Sequence, residues 1–480
     1  MVVARKIAYN VMVSSISKVL STILALVSIA FITRYLGKEG FGNYATVLAF
    51  LSFFAAIADL GLYQISTREI SKDGADEKKI MGNVFALRII SALAILVLAP
   101  IIVLFFPYPA EVKQGIMIVA ISFLFSSSYQ VLNGIFQKNL AMDKVAIAEL
   151  VGKIFQVAFV VFAVKTSLGF NWIIAALLFN MILSFAMVYL WSRKYLRFGL
   201  KFNFEYWKSF LKESAPLGIA AVITFAYFKM DTVILSVLKS SGEVGIYNAA
   251  YKVLENITFF PAMIVGLIFP LMAKYVFTDQ KSFHDICNKT FKVFVILTVP
   301  LVIAVLFLAD GIIGIIGGGG FSEAALVLRI LVFALALIFF GNFFNSVLIA
   351  GNLQKRLMLV LSFAAAVNIT LNLIFIPKFS YYGAASISVL TEFLVVSITF
   401  YLSAKRIKYI PKIEKISSIA ISGGIMALFL FFFKQTNFIF LAISSSLIYF
   451  VFLWLFKAIK TEEIRSLISK QGVQEYGELP

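Results

Sequence analysis

Apolar runs of about twenty residues or more follow one another along this chain, from residue 7 to residue 457. About twenty helical residues cross the ~30 Å of hydrocarbon in a bilayer. Lipid offers no partner to a backbone N–H or C=O, so a spanning run has to be a helix or part of a closed barrel. Runs this long, with no period-two alternation, point to helices. Fourteen spans are expected, at 7–33, 41–65, 82–106, 114–136, 145–165, 171–192, 214–238, 246–272, 288–309, 323–350, 357–376, 381–403, 414–433 and 437–457. The fold class is therefore all-α and polytopic. Of the 480 residues, 61% are hydrophobic and 14% charged. Soluble domains have about 45–50% and about 25%, and the excess here has to face lipid.

The start of the chain resembles a signal peptide, with Arg5 and Lys6 before an apolar run. That run is too long for one and lacks a cleavage site, so it reads as a retained first span. Lys and Arg set the orientation. Counting residues at span ends, 28 of the 42 lie on the side of the amino terminus, and seven on the other. Basic residues stay on the cytoplasmic side, which puts both termini in the cytoplasm of a cell-membrane protein. The same asymmetry explains most of the net charge of +18. Anionic lipid headgroups are the expected partner of that face, and nucleic acid is not needed to explain it.

Residues 192–213 mix six basic residues with Tyr195, Phe198, Phe202, Phe204, Tyr206 and Trp207. This suits a linker lying in the headgroup layer. A short internal repeat joins Phe41-Gly42-Asn43-Tyr44-Ala45 to Val244-Gly245-Ile246-Tyr247-Asn248, each where the chain re-enters after an odd-numbered span. It implies a parallel duplication, as in transporters whose halves rock against each other. The expected organisation is an amino-terminal lobe over 1–192, the linker over 193–213, a second lobe over 214–403, a helix pair over 404–460, and a tail over 461–480.

Seven basic residues fall inside spans: Lys18, Arg88, Lys153, Lys229, Lys252, Lys292 and Arg329. A charge at mid-bilayer costs roughly 2.5–3.5 kcal/mol and normally faces a wet cavity or a partner. Arg88, Lys153 and Lys292 are within snorkelling reach of the inner face, and Arg329 lies near the outer one. Glu149 stands four residues before Lys153, and Glu255 three after Lys252, at pairing distance on a helix. Lys18 and Lys229 are central in the first and seventh spans. Ser14, Lys18, Ser21, Ala25 and Ser28 form one stripe. This leads to the expectation of a cationic cavity shared by Lys18 and Lys229, with a buried ion pair as the structural alternative. Arg88, Lys252 and Arg329 are further candidates for it. Glu392, Asp231 and Asp59 are the candidate acids, either for ion coupling or as partners of the lysines. Asn180 and Asn368 are central and polar, and would line the cavity with Ser14 and Ser21.

Chemistry beyond transport lacks residues. The single histidine, His284, and single cysteine, Cys287, read as loop residues near a helix start. No cysteine framework, metal site or nucleotide loop is present in the sequence, so no metal and no cofactor is expected. The Gly317–Gly320 run has no Lys-Ser/Thr after it and reads as a flexible outer turn.

Arg34-Tyr35-Leu36-Gly37-Lys38-Glu39-Gly40-Phe41-Gly42-Asn43-Tyr44, followed by Asp59-Leu60-Gly61-Leu62 and Arg68-Glu69, resembles the amino-terminal signature of polysaccharide-biosynthesis flippases. These are the Wzx-type members of the multidrug/oligosaccharidyl-lipid/polysaccharide exporter superfamily. The Ile316–Ser322 stretch resembles their turn between spans nine and ten. The resemblance implies two six-helix lobes around a cationic cavity. It also implies a polyprenyl-pyrophosphate-linked oligosaccharide as substrate, and no enzymatic step. Polysaccharide polymerases or glycosyltransferases would be partners. Fourteen spans are also similar to lipid II flippases, whose last two helices hold the lipid tail. Lys18 matches their first-helix cation best, but their arginine-rich cavity is largely missing here. The competing expectations are a drug or metabolite exporter, a membrane glycosyltransferase, polymerase or ligase, and a non-transporting scaffold.

Overall fold

A computed structural model describes the backbone of residues 2–59 and 61–459, and the side chains of all of these except 2–8, 11, 58 and 59. Every regular element among them is helical. The elements are α1 (Val2–Asp59), α2 (Leu62–Ile70), α3 (Glu77–Val103), α4 (Ala110–Lys138), α5 (Met142–Lys165), α6 (Phe170–Ser192) and α7 (Phe204–Leu238). They continue with α8 (Ser241–Ile257), α9 (Phe259–Tyr275), α10 (Gln280–Gly317), α11 (Ala324–Ala350), α12 (Gln354–Leu402), α13 (Ile416–Phe432) and α14 (Phe438–Leu455).

Eleven helical stretches are long and apolar enough to cross a membrane, two of them holding a break, and the shorter Ile416–Phe432 adds another. The breaks are at Gly37 (φ 66°) in α1 and Ser380 (φ 51°) in α12. Counting each broken stretch as two gives the fourteen expected segments. Gly37 reaches its left-handed backbone without a Cβ penalty. Ser380 does not, and its hydroxyl is tied to Glu243 Oε1 at 2.6 Å. The Pro377 carbonyl beside this break accepts from Lys239 Nζ at 3.0 Å.

The chain forms two compact units. Unit 1 takes Met1–Asn248 together with Ile316–Gly320 and Ile369–Tyr381. Its cores include the helix ends around α2, where Leu62, Ile70, Met81, Leu132, Phe136, Ala148 and Val188 are fully buried. Unit 2 takes Ala249–Ile315, Phe321–Asn368 and Tyr382–Pro480. In it α13 and α14 pack on α10 through Ile419, Met426, Leu430, Leu441 and Leu453, and Tyr449 donates to the Ile296 carbonyl at 3.0 Å.

Four expectations are corrected. The second span does not run to residue 65. Its helix ends at Asp59, and Gly61 (φ 67°) starts a separate amphipathic helix, α2. A Cβ at Gly61 would lie 2.4 Å from Leu217 Cβ, so only glycine lets α7 come this close. The basic, aromatic linker is not a free interfacial strap. Residues 204–213 belong to α7, and 195–203 are clasped to the start of α3. Trp207 Nε1 donates to the Asn83 carbonyl at 3.0 Å, Asn203 N to Asn83 Oδ1 at 3.0 Å, and Lys201 N to the Gly82 carbonyl at 3.2 Å. Phe202 and Phe204 alone of the linker's aromatic residues stay largely exposed. The Gly317–Gly320 turn is held in unit 1, where Thr33 Oγ1 donates to the Ile316 carbonyl. His284 and Cys287 lie inside α10, one turn apart, with His284 beside the Tyr409 ring.

The two repeat motifs meet within unit 1. A Cβ at Gly42 would fall 1.7 Å from the Ser241 carbonyl oxygen, and one at Gly245 would fall 2.1 Å from the Lys38 carbonyl oxygen. Two backbones touch here, each made narrow enough by its own glycine.

Candidate functional site

Unit 1 holds a cavity of about 470 Å3, within the usual size range of a small-molecule site. Four elements line it. The second half of α1 gives Leu51, Ser52, Ala55 and Ala56, α2 gives Tyr63 and Gln64, α4 gives Phe123, Ser126, Gln130 and Asn133, and α7 gives Ala221. On α4 these positions step by three or four residues, and on α1 two adjacent pairs lie one turn apart, so each helix gives one face. On α4 the stripe is polar while its flanks, Val131, Leu132 and Ile135, are buried and apolar.

Among the described residues no Lys, Arg or His touches this lumen, but a cation stands behind it. Arg88 of α3 is only 2% exposed. Its Nη2 donates to Gln130 Oε1 at 3.0 Å, its Nε to the Ser127 carbonyl at 3.2 Å, and its guanidinium lies 5.9 Å from the Phe123 ring centre. A guanidinium keeps its proton when buried, so these contacts spread a permanent charge. Arg88 therefore neither snorkels nor lines the lumen; it fixes two residues that do.

The other candidates divide between the units. Lys18 is exposed and Lys229 half-buried, with Ser14 and Ser21 half-buried on the Lys18 stripe. Lys18 lies about 27 Å of helix before Leu36, and Lys229 about 14 Å before Leu238, at 1.5 Å per residue. The two helix ends converge at the Gly42–Gly245 contact. Asp231 accepts from the Tyr247 hydroxyl and from Thr232 N at 2.6 Å. Asn180 is a clamp between α5 and α6: it donates to Gln156 at 2.9 Å, accepts from Ser184, and leaves no room for a Cβ on Gly152. Lys153 donates to Gln156 at 3.2 Å, and Glu149 accepts from Tyr129. The side chain of Asp59 and the tail over 461–480 lie outside the described residues.

In unit 2, Lys252 pairs with Glu255 at 2.6 Å, as its spacing anticipated. Arg329 pairs with Asp310 and donates to the Leu306 carbonyl at 3.0 Å. Glu392 is buried beside Thr391, which accepts from Asn368 at 3.2 Å. None of these belongs to the unit 1 cavity. Among the described residues no His/Cys/Asp/Glu cluster is arranged to hold a metal.

Outside the spans, the Arg68-Glu69 part of the signature forms an ion network. Glu69 bonds Lys72 at 2.7 Å and Arg68 at 2.7 Å, and Arg68 also pairs with Glu213 of α7. The Lys72 ammonium, and after it the Arg68 guanidinium, hold the Glu69 carboxyl below the usual carboxylate range, against the opposing effect of burial.

Sequence reasoning missed Ser52, Tyr63, Gln64, Ser126, Gln130 and Asn133. The signal was available: Ser126, Gln130 and Asn133 repeat in the fourth span the spacing that drew attention to Ser14, Lys18 and Ser21 in the first.

The profile of the family described as polysaccharide biosynthesis protein matches residues 7–276. The chain belongs to the polysaccharide biosynthesis protein family. It is 25% identical to the capsular polysaccharide biosynthesis protein CapF of Staphylococcus aureus, over 61% of this chain and 74% of that protein. It is 25% identical to the probable low-salt glycan biosynthesis flippase Agl15 of Haloferax volcanii, over 86% of each. In structure it is similar to the lipid II flippase MurJ in an inward closed conformation, with a TM-score of 0.77 at 19% identity, over 95% of this chain and 100% of that one. At that identity the likeness is one of fold.

Proposed function

We propose that this family member is a flippase. It carries a polyprenyl-pyrophosphate-linked oligosaccharide across the cytoplasmic membrane, by alternating access, for surface polysaccharide or glycoconjugate synthesis. The observation that carries this reading is a polar cavity inside a membrane-spanning unit of a polysaccharide biosynthesis protein. The near full-length similarity to a glycan flippase supports it.

Physically, the obstacle is the headgroup. A pyrophosphate cannot enter hydrocarbon without opposite charge nearby, and in a low-dielectric passage each such contact is stronger than in water. Lys18 of α1 and Lys229 of α7 would meet the pyrophosphate as it crosses. The sugars would take the neutral cavity, and the polyprenyl tail would stay in lipid, with α13 and α14 as its flank. Rocking of the repeated halves would open the path to each side alternately. Glu392 and Asp231 are the acids through which a proton or sodium gradient would act. Both termini would be cytoplasmic, beside the glycosyltransferases that build the substrate, with a polymerase receiving the product outside. No bond is made or broken, so no enzymatic activity is assigned. An exporter of organic cations would need central acids in place of central lysines.

The test replaces Lys18 and Lys229 by Ala, singly and together, and follows surface glycan with protein level monitored. The double variant is expected to accumulate inner-leaflet lipid-linked oligosaccharide and lose surface glycan. Full export by that variant would remove the cationic path from the mechanism.

A further inference from the structure

Resting on the flippase reading, we infer that the unit 1 cavity binds the neutral sugar hydroxyls of the cargo and not its pyrophosphate, with Arg88 as the positioning residue that aims the cavity's main donor.

The hydrogen-bond inventory decides the ligand class. The Ser52 hydroxyl donates to the Leu48 carbonyl at 2.7 Å and the Ser126 hydroxyl to the Phe123 carbonyl at 3.2 Å. The Tyr63 hydroxyl donates to Gln137 Oε1 at 2.6 Å. With their protons used, these three oxygens face the lumen as acceptors. Asn133 Oδ1 is buried, and among the described residues it has no hydrogen-bond partner. Apart from the amides of Gln64 and Gln130, the lining is thus rich in acceptors, and among the described residues it holds no cation.

A phosphate oxygen is also only an acceptor, and a dianion placed here would lose its hydration for at most the neutral amide donors of Gln64 and Gln130. A pyranose presents several O–H donors, each of which can also accept. It matches an acceptor-rich lining that needs protons from its ligand. The small Ala55, Ala56 and Ala221 leave room for a ring, and the Phe123 face suits the apolar C–H side of a sugar.

One strong donor remains on the polar stripe. Gln130 Oε1 is occupied by Arg88 Nη2, which turns the amide so that its NH2 group is left for the ligand. Gln130 and Asn133 are one turn apart, about 5–6 Å between Cβ atoms. A donor and an acceptor at that spacing suit neighbouring hydroxyls on one ring. Arg88 does not touch the sugar; without it the Gln130 amide can flip and present an acceptor to acceptors.

The experiment uses the full chain in lipid nanodiscs. Cys287 is fully buried, so a cysteine introduced by Ala56→Cys is the site that a maleimide reads. Probes are the methyl glycosides of glucose, galactose, mannose and N-acetylglucosamine, and inorganic pyrophosphate at matched ionic strength. At least one glycoside is expected to slow labelling about threefold at twice its dissociation constant, and pyrophosphate to leave it unchanged. Protection by pyrophosphate alone, or by none of the probes with Ala56→Cys and with Ser126→Cys, overturns the assignment. Gln130→Ala and Asn133→Ala are each expected to raise the half-protecting concentration about tenfold. Arg88→Met should match Gln130→Ala, Arg88→Lys should keep protection, and the Arg88→Met/Gln130→Ala double should be no worse than Gln130→Ala alone. A further loss in the double overturns the positioning role. Should Arg88→Met fail to fold by thermal unfolding, the Gln130 and Asn133 variants decide the assignment alone. Glycan export in cells is scored separately. Glycoside protection in a chain whose loss leaves export intact would refute the flippase reading and keep the sugar site, whereas export without protection would do the reverse.

Discussion

Gly42→Ala tests how tightly the repeat junction is built. The added methyl would sit 1.7 Å from the Ser241 carbonyl oxygen, 2.6 Å from its carbon and 2.9 Å from Gly245 N. All three are backbone atoms, so no side chain can swing aside. Restoring an ordinary contact of about 3.4 Å requires the two backbones to part by about 1.7 Å, which interiors resist because they are close-packed. Overpacking of this kind costs about 1–3 kcal/mol. For a body of a few hundred residues that is a fall in melting temperature of about 2–6 °C. Thermal unfolding in detergent, followed by tryptophan fluorescence, reads it directly. Gly245→Ala, whose methyl would meet the Lys38 carbonyl oxygen at 2.1 Å, should behave alike. The double variant should cost less than the sum, because one opening relieves both clashes. Gly242→Ala is the control, since its nearest neighbours lie at 3.8 and 3.9 Å. If Gly42→Ala melts within about 1 °C of this control, the glycine pair does not hold the junction closed.

Trp207→Phe removes the indole donor to the Asn83 carbonyl, which keeps its helical partner in α3. A loss of about 0.5–1.5 kcal/mol is expected, seen as a lower melting temperature and faster proteolysis within 193–203. Glu69 has its folded-state pKa depressed by Lys72 and Arg68, so its stabilising effect is full above the unfolded value of about 4.3 and is lost as pH falls through the lower folded value. Glu69→Gln should therefore flatten the decline of melting temperature on the acid side of about pH 4 and leave neutral pH nearly unchanged, as exposed pairs are worth about 0–1 kcal/mol. Lys252→Gln, which removes the Lys252–Glu255 ion pair in unit 2, should cost about 0.5 kcal/mol or less and leave surface glycan within twofold of wild type.

Most of the helical architecture was legible, because apolar length reports directly on the bilayer. Gly61 was not: Leu60-Gly61-Leu62 continues an apolar run, and hydropathy does not register a positive φ. The start of α7 was hidden for the opposite reason. Glu205, Lys208, Lys212 and Glu213 make it look like a loop, while Trp207, Phe210 and Ser214 bury one face at helical spacing. At the site, charge drew attention and neutral amides did not. Lys252 and Arg329 stood out as costly residues, yet each is answered by a local acid, and Gln130 and Asn133 matter through which of their atoms are already engaged. That information is geometric and has no trace in residue type.

Unit 1 is completed late. Its first 248 residues are followed by a long detour before Ile316–Gly320 and Ile369–Tyr381 are supplied. At synthesis rates of about 5–20 residues per second, the ribosome needs roughly 7–27 s to get from residue 248 to residue 381. For that interval Thr33, Lys239 and Glu243 await the Ile316 carbonyl, the Pro377 carbonyl and the Ser380 hydroxyl that answer them in the finished protein. A nascent chain halted before residue 369 would hold its amino-terminal helices with one end unsealed. Insertion machinery or a membrane chaperone that shields polar groups would find its client there.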